Sequence, residues 1–178
     1  YSHASGYKLS GKVYMVGALA RMNLAKDNLH QKTKESAGEY LKLFPSQNIY
    51  HNNLAQAIEV LHAVDSSIDI IKNLKIIPEK PIVVQRKEGI GIGVIEAPRG
   101  TLYYKLEVEN TGKIKTGQIV VPTGQNQIGI EGSIRQYLEQ NIDRLDNKEE
   151  VEHEVEKIVR AYDPCMSCAS HFLKFRWL

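Results

Sequence analysis

Cysteine is nearly missing: of 178 residues only Cys165 and Cys168 carry thiols, three positions apart near the C-terminus. That excludes a framework of structural disulfides and leaves too few thiols to ligate an iron–sulfur cluster. Long apolar runs are missing too. None approaches the ~18 residues that span a bilayer, and the start lacks the charged, apolar and small-residue succession of a signal peptide. Formal net charge is +2 with both signs interspersed, and no block of basic residues offers a footprint to nucleic acid or acidic lipid. There are no internal repeats and no low-complexity tracts. These absences predict a soluble, cytoplasmic protein without a membrane span, in which a close cysteine pair serves a metal or redox role.

The length fits a single domain by the usual ~100–200 residues per domain. Residues 1–81 read as mainly helical, 82–123 as a β-hairpin region, 131–162 as helical again and 163–178 as a tail with metal-ligand spacing. The expected fold class is α+β, mainly helical with a small antiparallel sheet. Tyr1 to Lys12 has no periodicity, methionine or cap, and reads as a loop entered mid-protein. Tyr14 to Leu24 reads as a short buried helix. Thr33 is the expected cap of a helix through Phe44, which Pro45 stops. Leu54, Ala57, Ile58, Leu61, Val64, Ile68 and Ile71 follow helical spacing and predict a helix over 50–74 with one buried stripe. His51 and His62 lie on or beside it, read as satisfied or solvated residues rather than ligands.

Strand character begins at Ile82 to Val84, and three strands are expected: Ile90 to Ile95, Thr101 to Glu109 and Lys113 to Val121, with a turn at Asn110-Thr111-Gly112. The alternating Gly89, Gly91 and Gly93 are not a nucleotide loop, because a phosphate-binding glycine turn needs a helix N-terminus directly after it. Gly132-Ser133 is the expected start of a helix to Arg144. Asn147, with Glu150 in capping-box spacing, opens another that buries Val151, Val155, Ile158 and Val159 and ends near Tyr162.

That last helix leads into Asp163-Pro164-Cys165-Met166-Ser167-Cys168-Ala169-Ser170-His171. Two thiols and an imidazole at this spacing can converge where Asp-Pro turns the backbone. A reduced pair that binds nothing, half of a zinc site and a complete metal site all remain open on spacing alone.

Asp163-Pro164-Cys165-x-x-Cys168-x-x-His171 resembles the C-terminal signature of the large, catalytic subunit of nickel-iron hydrogenases. Three further stretches match that family in the same order: Tyr14-Met15-Val16-Gly17-Ala18-Leu19-Ala20-Arg21, Glu96-Ala97-Pro98-Arg99-Gly100 and Val120-Val121-Pro122-Thr123. The family's other cysteine pair, in an Arg-x-Cys-Gly-x-Cys stretch, is absent, so the resemblance is to a C-terminal portion. The first stretch and the soluble composition resemble the cytosolic, multi-subunit branch that couples hydrogen to a nicotinamide or deazaflavin carrier.

The resemblance implies a reversible hydrogen-oxidising enzyme with a nickel–iron centre whose iron carries cyanide and carbon monoxide. Cys165 would be a terminal thiolate on nickel and Cys168 the bridge to iron. Arg99 and Asp163 would be the catalytic guanidinium and the carboxylate that orients it. Ala97, Pro98, Arg99, Val121, Pro122 and Thr123 would line the pocket around the iron's diatomic ligands. The Ile119 carbonyl and His171 would ligate a separate magnesium or iron ion. Implied partners are the missing N-terminal half, an iron–sulfur small subunit and carrier-reducing subunits. The chain by itself is expected to lack the bimetallic centre, to be inactive and to self-associate. Two other classes stay open: a zinc-binding interaction module using Cys165, Cys168, His171 and a fourth ligand for which Asp163 is the candidate, and a non-catalytic scaffold like the quinone-site subunit of respiratory complex I.

Overall fold

The computed structural model describes residues 12–141 and 147–168. In chain order it contains α1 (Ala18–Ala25), α2 (Gln31–Leu41), α3 (His51–Asn73), β1 (Gly89–Ala97), β2 (Gly100–Val108), β3 (Ile114–Val120), α4 (Pro122–Gln140) and α5 (Lys148–Ala161). The fold is α+β, as the sequence predicts. The strands form one antiparallel sheet in the order β1-β2-β3.

The first helix starts later than expected. Residues 13–16 run extended, and α1 begins only after Gly17. The buried Asn126 side chain explains this, because it bonds both backbone groups of Val16, accepting from its N–H at 2.9 Å and donating to its carbonyl at 3.0 Å. Helix α2 is capped by His30, whose ring nitrogen accepts from Lys32 N–H at 3.2 Å, and not by Thr33. Thr33 is instead buried within the helix and donates to Asp65 at 2.7 Å. The helix stops at Leu41, short of Phe44, since the residue preceding a proline is disfavoured in helical geometry.

Helix α3 lies within a residue of its expected bounds, but its apolar stripe is only half covered. Asn52, Ala55 and Ile58 are buried, whereas Val64 is 51% and Ile71 78% exposed. The second half turns a polar edge to α2, with His62 accepting from His30 N–H at 2.9 Å and Asp69 bonded to the His30 ring at 2.9 Å. His51 likewise holds Ser46 Oγ at 2.8 Å. Residues 74–88 form no ladder, so the strand character at Ile82 to Val84 does not become a strand.

The three strands occupy the expected segments, and Gly89, Gly91 and Gly93 pair with β2. Pro98 and Arg99 make the tight turn between β1 and β2, beyond the Ala97↔Gly100 pair. Helix α4 begins at Pro122, ten residues before Gly132. Proline suits the first helical position, where its missing N–H leaves no bond unmade. It follows that Thr123 belongs to a helix N-terminus and not to the sheet region. Arg144 lies outside the described residues. Asn147 caps α5 as expected, accepting from Glu150 N–H at 3.3 Å.

Two apolar clusters hold the helices. One joins Ala18, Leu19 and Met22 of α1 to Ala37, Phe44, Ala55 and Ile58. The other packs Ile130 and Ile134 of α4 on Val151, Val155 and Ile158 of α5. Asn52 bridges the clusters, accepting from Leu19 N–H and donating to the Ala161 carbonyl, each at 2.9 Å.

Candidate metal centre

The bridge at Asn52 reaches the last residue of α5, and the candidate centre starts one turn beyond. Tyr162 closes the helix, and Asp163 enters the left-handed region with φ 49°, its N–H donating to the Arg160 carbonyl at 2.9 Å. Aspartate tolerates that conformation better than most side chains. Pro164 follows, and the chain then turns through Cys165 to Cys168, where Cys168 N–H donates to the Cys165 carbonyl at 3.1 Å. The two cysteines lie with Cα atoms 5.3 Å apart and their sulfurs in contact. The short turn is enough to bring the two sulfurs side by side.

Three other elements converge on this turn. From the β1–β2 turn, Arg99 donates through Nε to the Asp163 carbonyl at 3.0 Å and through Nη2 to its carboxylate at 3.2 Å. From α3, Gln56 donates to the same carboxylate at 2.8 Å. From the first turn of α4, the buried Thr123 accepts the Cys165 N–H on its hydroxyl oxygen at 3.0 Å, leaving the O–H to donate elsewhere. Arg99, Thr123, Asp163, Cys165 and Cys168 are thus gathered from positions spread over 70 residues of sequence. Pro122 is buried beside Thr123, Val121 and Ala97 are half-buried, and Pro98 is exposed in the turn. Ile119 stands on β3 opposite Tyr104, and His171 lies outside the described residues.

Glycines let the Arg99 turn sit this close to the helices. Gly17 has φ 116°, and a Cβ there would lie 3.0 Å from the Arg99 carbonyl oxygen. Gly100 has φ 133°, and its Cβ would fall 2.5 Å from the Val16 side chain. Both the backbone conformation and the contact require glycine.

Gln56, Gln125 and Asn126 are support residues that sequence reasoning missed. Gln125 donates to the Thr101 carbonyl at 2.6 Å and accepts from the Tyr14 hydroxyl at 3.3 Å. Two adjacent amides directly after Pro-Thr-Gly were the available signal, since amides buried at a helix start must find partners.

The donor set fits half of a soft-metal centre: two sulfurs side by side, a hydroxyl with a proton to give and a fixed guanidinium next to them. Among the described residues no three His, Cys, Asp or Glu side chains group as a metal site. Asp163, the oxygen ligand that a zinc module would borrow, is committed to Arg99 and Gln56.

These features define a chain of the hydrogenase large-subunit fold, and the comparisons agree. Residues 1–171 match the family model described as nickel-dependent hydrogenase, and the chain belongs to that family. It is similar to the sulfhydrogenase 1 subunit alpha of Pyrococcus furiosus, 36% identical over 98% of this chain and 40% of that protein. It is 33% identical to the NAD-reducing hydrogenase HoxS subunit beta of Cupriavidus necator, over 89% of this chain and 34% of that one. In structure it resembles an NAD+-reducing NiFe-hydrogenase in the H2-reduced state, with TM-score 0.71 and 27% identity over 90% of this chain and 36% of that chain. The chain therefore spans well under half the length of these relatives. No helix among the described residues is long and apolar enough to cross a membrane.

Proposed function

We propose that this chain is the C-terminal part of the catalytic subunit of a cytoplasmic nickel-iron hydrogenase. The full-length subunit oxidises hydrogen reversibly to protons and electrons. The electrons pass through an iron–sulfur partner subunit to carrier-reducing subunits and a soluble carrier. The observation that carries this reading is the meeting of Arg99, Asp163 and Thr123 around the Cys165–Cys168 turn. When bound, the Ni-Fe(CN)2(CO) group supplies the site at which hydrogen is split.

Each residue then has a task. Cys165 and Cys168 would hold the metals as soft thiolates. Arg99 would present a planar, permanently charged fork to the bound group, a task that a lysine point charge performs poorly. Asp163 orients that fork through its carboxylate and carbonyl, as outer carboxylates orient groups at metal sites. Thr123 fixes the Cys165 backbone with its oxygen and would have its O–H left to donate to a ligand of the bound iron. Ala97, Pro98, Val121 and Pro122 shape the surrounding pocket. The Ile119 carbonyl and His171 would be the groups to hold a separate magnesium or iron ion.

Hydrogen-dependent dye reduction by the full-length subunit, assembled with its partners, tests the reading. Turnover by nickel-containing protein is expected; a zinc-loaded, nickel-free protein that reduces no dye overturns it.

A further inference from the structure

Arg21 is the fourth residue of α1, and all five N–H groups of its guanidinium are committed. Nε and Nη2 grip Glu59 of α3 in a bidentate pair at 2.7 and 2.6 Å. Nη1 pairs with Glu96 of β1 and donates to the Ala97 carbonyl at 3.0 Å. Nη2 also donates to the Pro98 carbonyl at 2.8 Å. Every N–H of a guanidinium is thereby used, two on one helix and three on a single turn of the sheet.

That turn is the one that presents Arg99. Most of β1 and all of β3 are exposed, so beside the Gln125–Thr101 bond and the Gly100 contact with Val16 this clamp is a main hold on the hairpin. Glu96 reinforces the clamp from within the hairpin, accepting from the Thr101 hydroxyl at 2.7 Å on its other oxygen. Gly17 sets the turn's distance from α1, and Arg21, four residues along the same helix, sets its orientation. The connection runs from the Arg21 fork to the Ala97 and Pro98 carbonyls, then to the Arg99 side chain, Asp163 and the cysteine turn.

We infer that Arg21 is a positioning residue for the reaction at the cysteine pair, aiming Arg99 by clamping the Ala97 and Pro98 carbonyls against α3. The inference rests on the functional reading above. Lysine at this position keeps the charge but has fewer donors and no planar fork, so it cannot hold Glu59 and both carbonyls together.

The test uses the full-length holoenzyme with Arg21→Lys, and Glu59→Gln as a second variant that weakens the same clamp from its other end. Nickel per subunit, the infrared bands of the iron's cyanide and carbon monoxide ligands, and hydrogen-dependent dye reduction are measured. Arg21→Lys is expected to keep its nickel, to shift or broaden those bands, and to lose turnover on the order of tenfold to a hundredfold, as small misplacements near a reacting centre do. Glu59→Gln is expected to change the same readouts in the same direction. Combined with Arg99→Lys, Arg21→Lys should add little further loss, because both act through one guanidinium. Unchanged bands and turnover, loss of nickel, or losses that multiply in the double variant each overturn the inference. If Arg21→Lys does not fold, Glu59→Gln decides, and wild-type behaviour there overturns it. A wild type without nickel or turnover instead defeats the functional reading, a result distinct from an active wild type matched by an active Arg21→Lys.

Discussion

At the scale of single residues, the proposed function puts the most chemical weight on Arg99. It reaches Asp163 by two routes, carbonyl and carboxylate, and only a planar fork makes both contacts from one turn position. Arg99→Lys in the full-length enzyme is expected to retain nickel and lose most turnover, measured by elemental analysis beside dye reduction; a metal-free variant would assign Arg99 a structural task instead. The Asp-Pro-Cys-x-x-Cys and Ala-Pro-Arg-Gly stretches were legible through the family resemblance, because four matching stretches occur in the family's order; alone, each is a weak signal. Gln56 and Asn126 were not legible. An amide on a helix reads as a solvated residue until the fold shows that it meets Asp163 or the Val16 backbone. Thr33 misled for a related reason: a threonine near a helix start satisfies the capping rule by type, and only the fold shows its hydroxyl spent on Asp65.

At the scale of elements, local signals located α3, α5 and the strands well. They failed where tertiary contact overrode them, as at residues 13–16, where Asn126 holds the Val16 backbone, and at α4, which opens at Pro122 and not at Gly132-Ser133. Gly129 is there because Tyr162 from the end of α5 lies across it, 3.3 Å from where a Cβ would stand. Burial pushes the Tyr162 phenol above its ordinary value, opposed by its hydrogen bond with Ser133 at 2.8 Å. A raised folded-state value means that the folded protein holds this proton more tightly than the unfolded chain. The contribution to stability is therefore complete below the unfolded value of pH ~10 and is lost as pH rises through the folded one. A denaturant midpoint that falls above that pH, and falls less in Tyr162→Phe, is the expected outcome; identical slopes would remove Tyr162 as the cause.

At the scale of the whole molecule, the helices close around two apolar clusters while the sheet and the far half of α3 stay open. Ile92 is 72% exposed on β1 and Ile71 78% on α3. Periodicity announced that these faces are apolar but could not announce what covers them, since a covering surface is a property of the whole subunit. The same holds for the centre: this chain brings two sulfurs, and in the proposed full-length subunit a second cysteine pair completes the set. The most direct measurement is nickel content by elemental analysis of the purified full-length subunit, wild type beside Cys168→Ser. The account predicts about one nickel per wild-type subunit and almost none in the variant, because a hydroxyl is a poor substitute for a bridging thiolate. Equal nickel in both proteins, or none in the wild type, would contradict it.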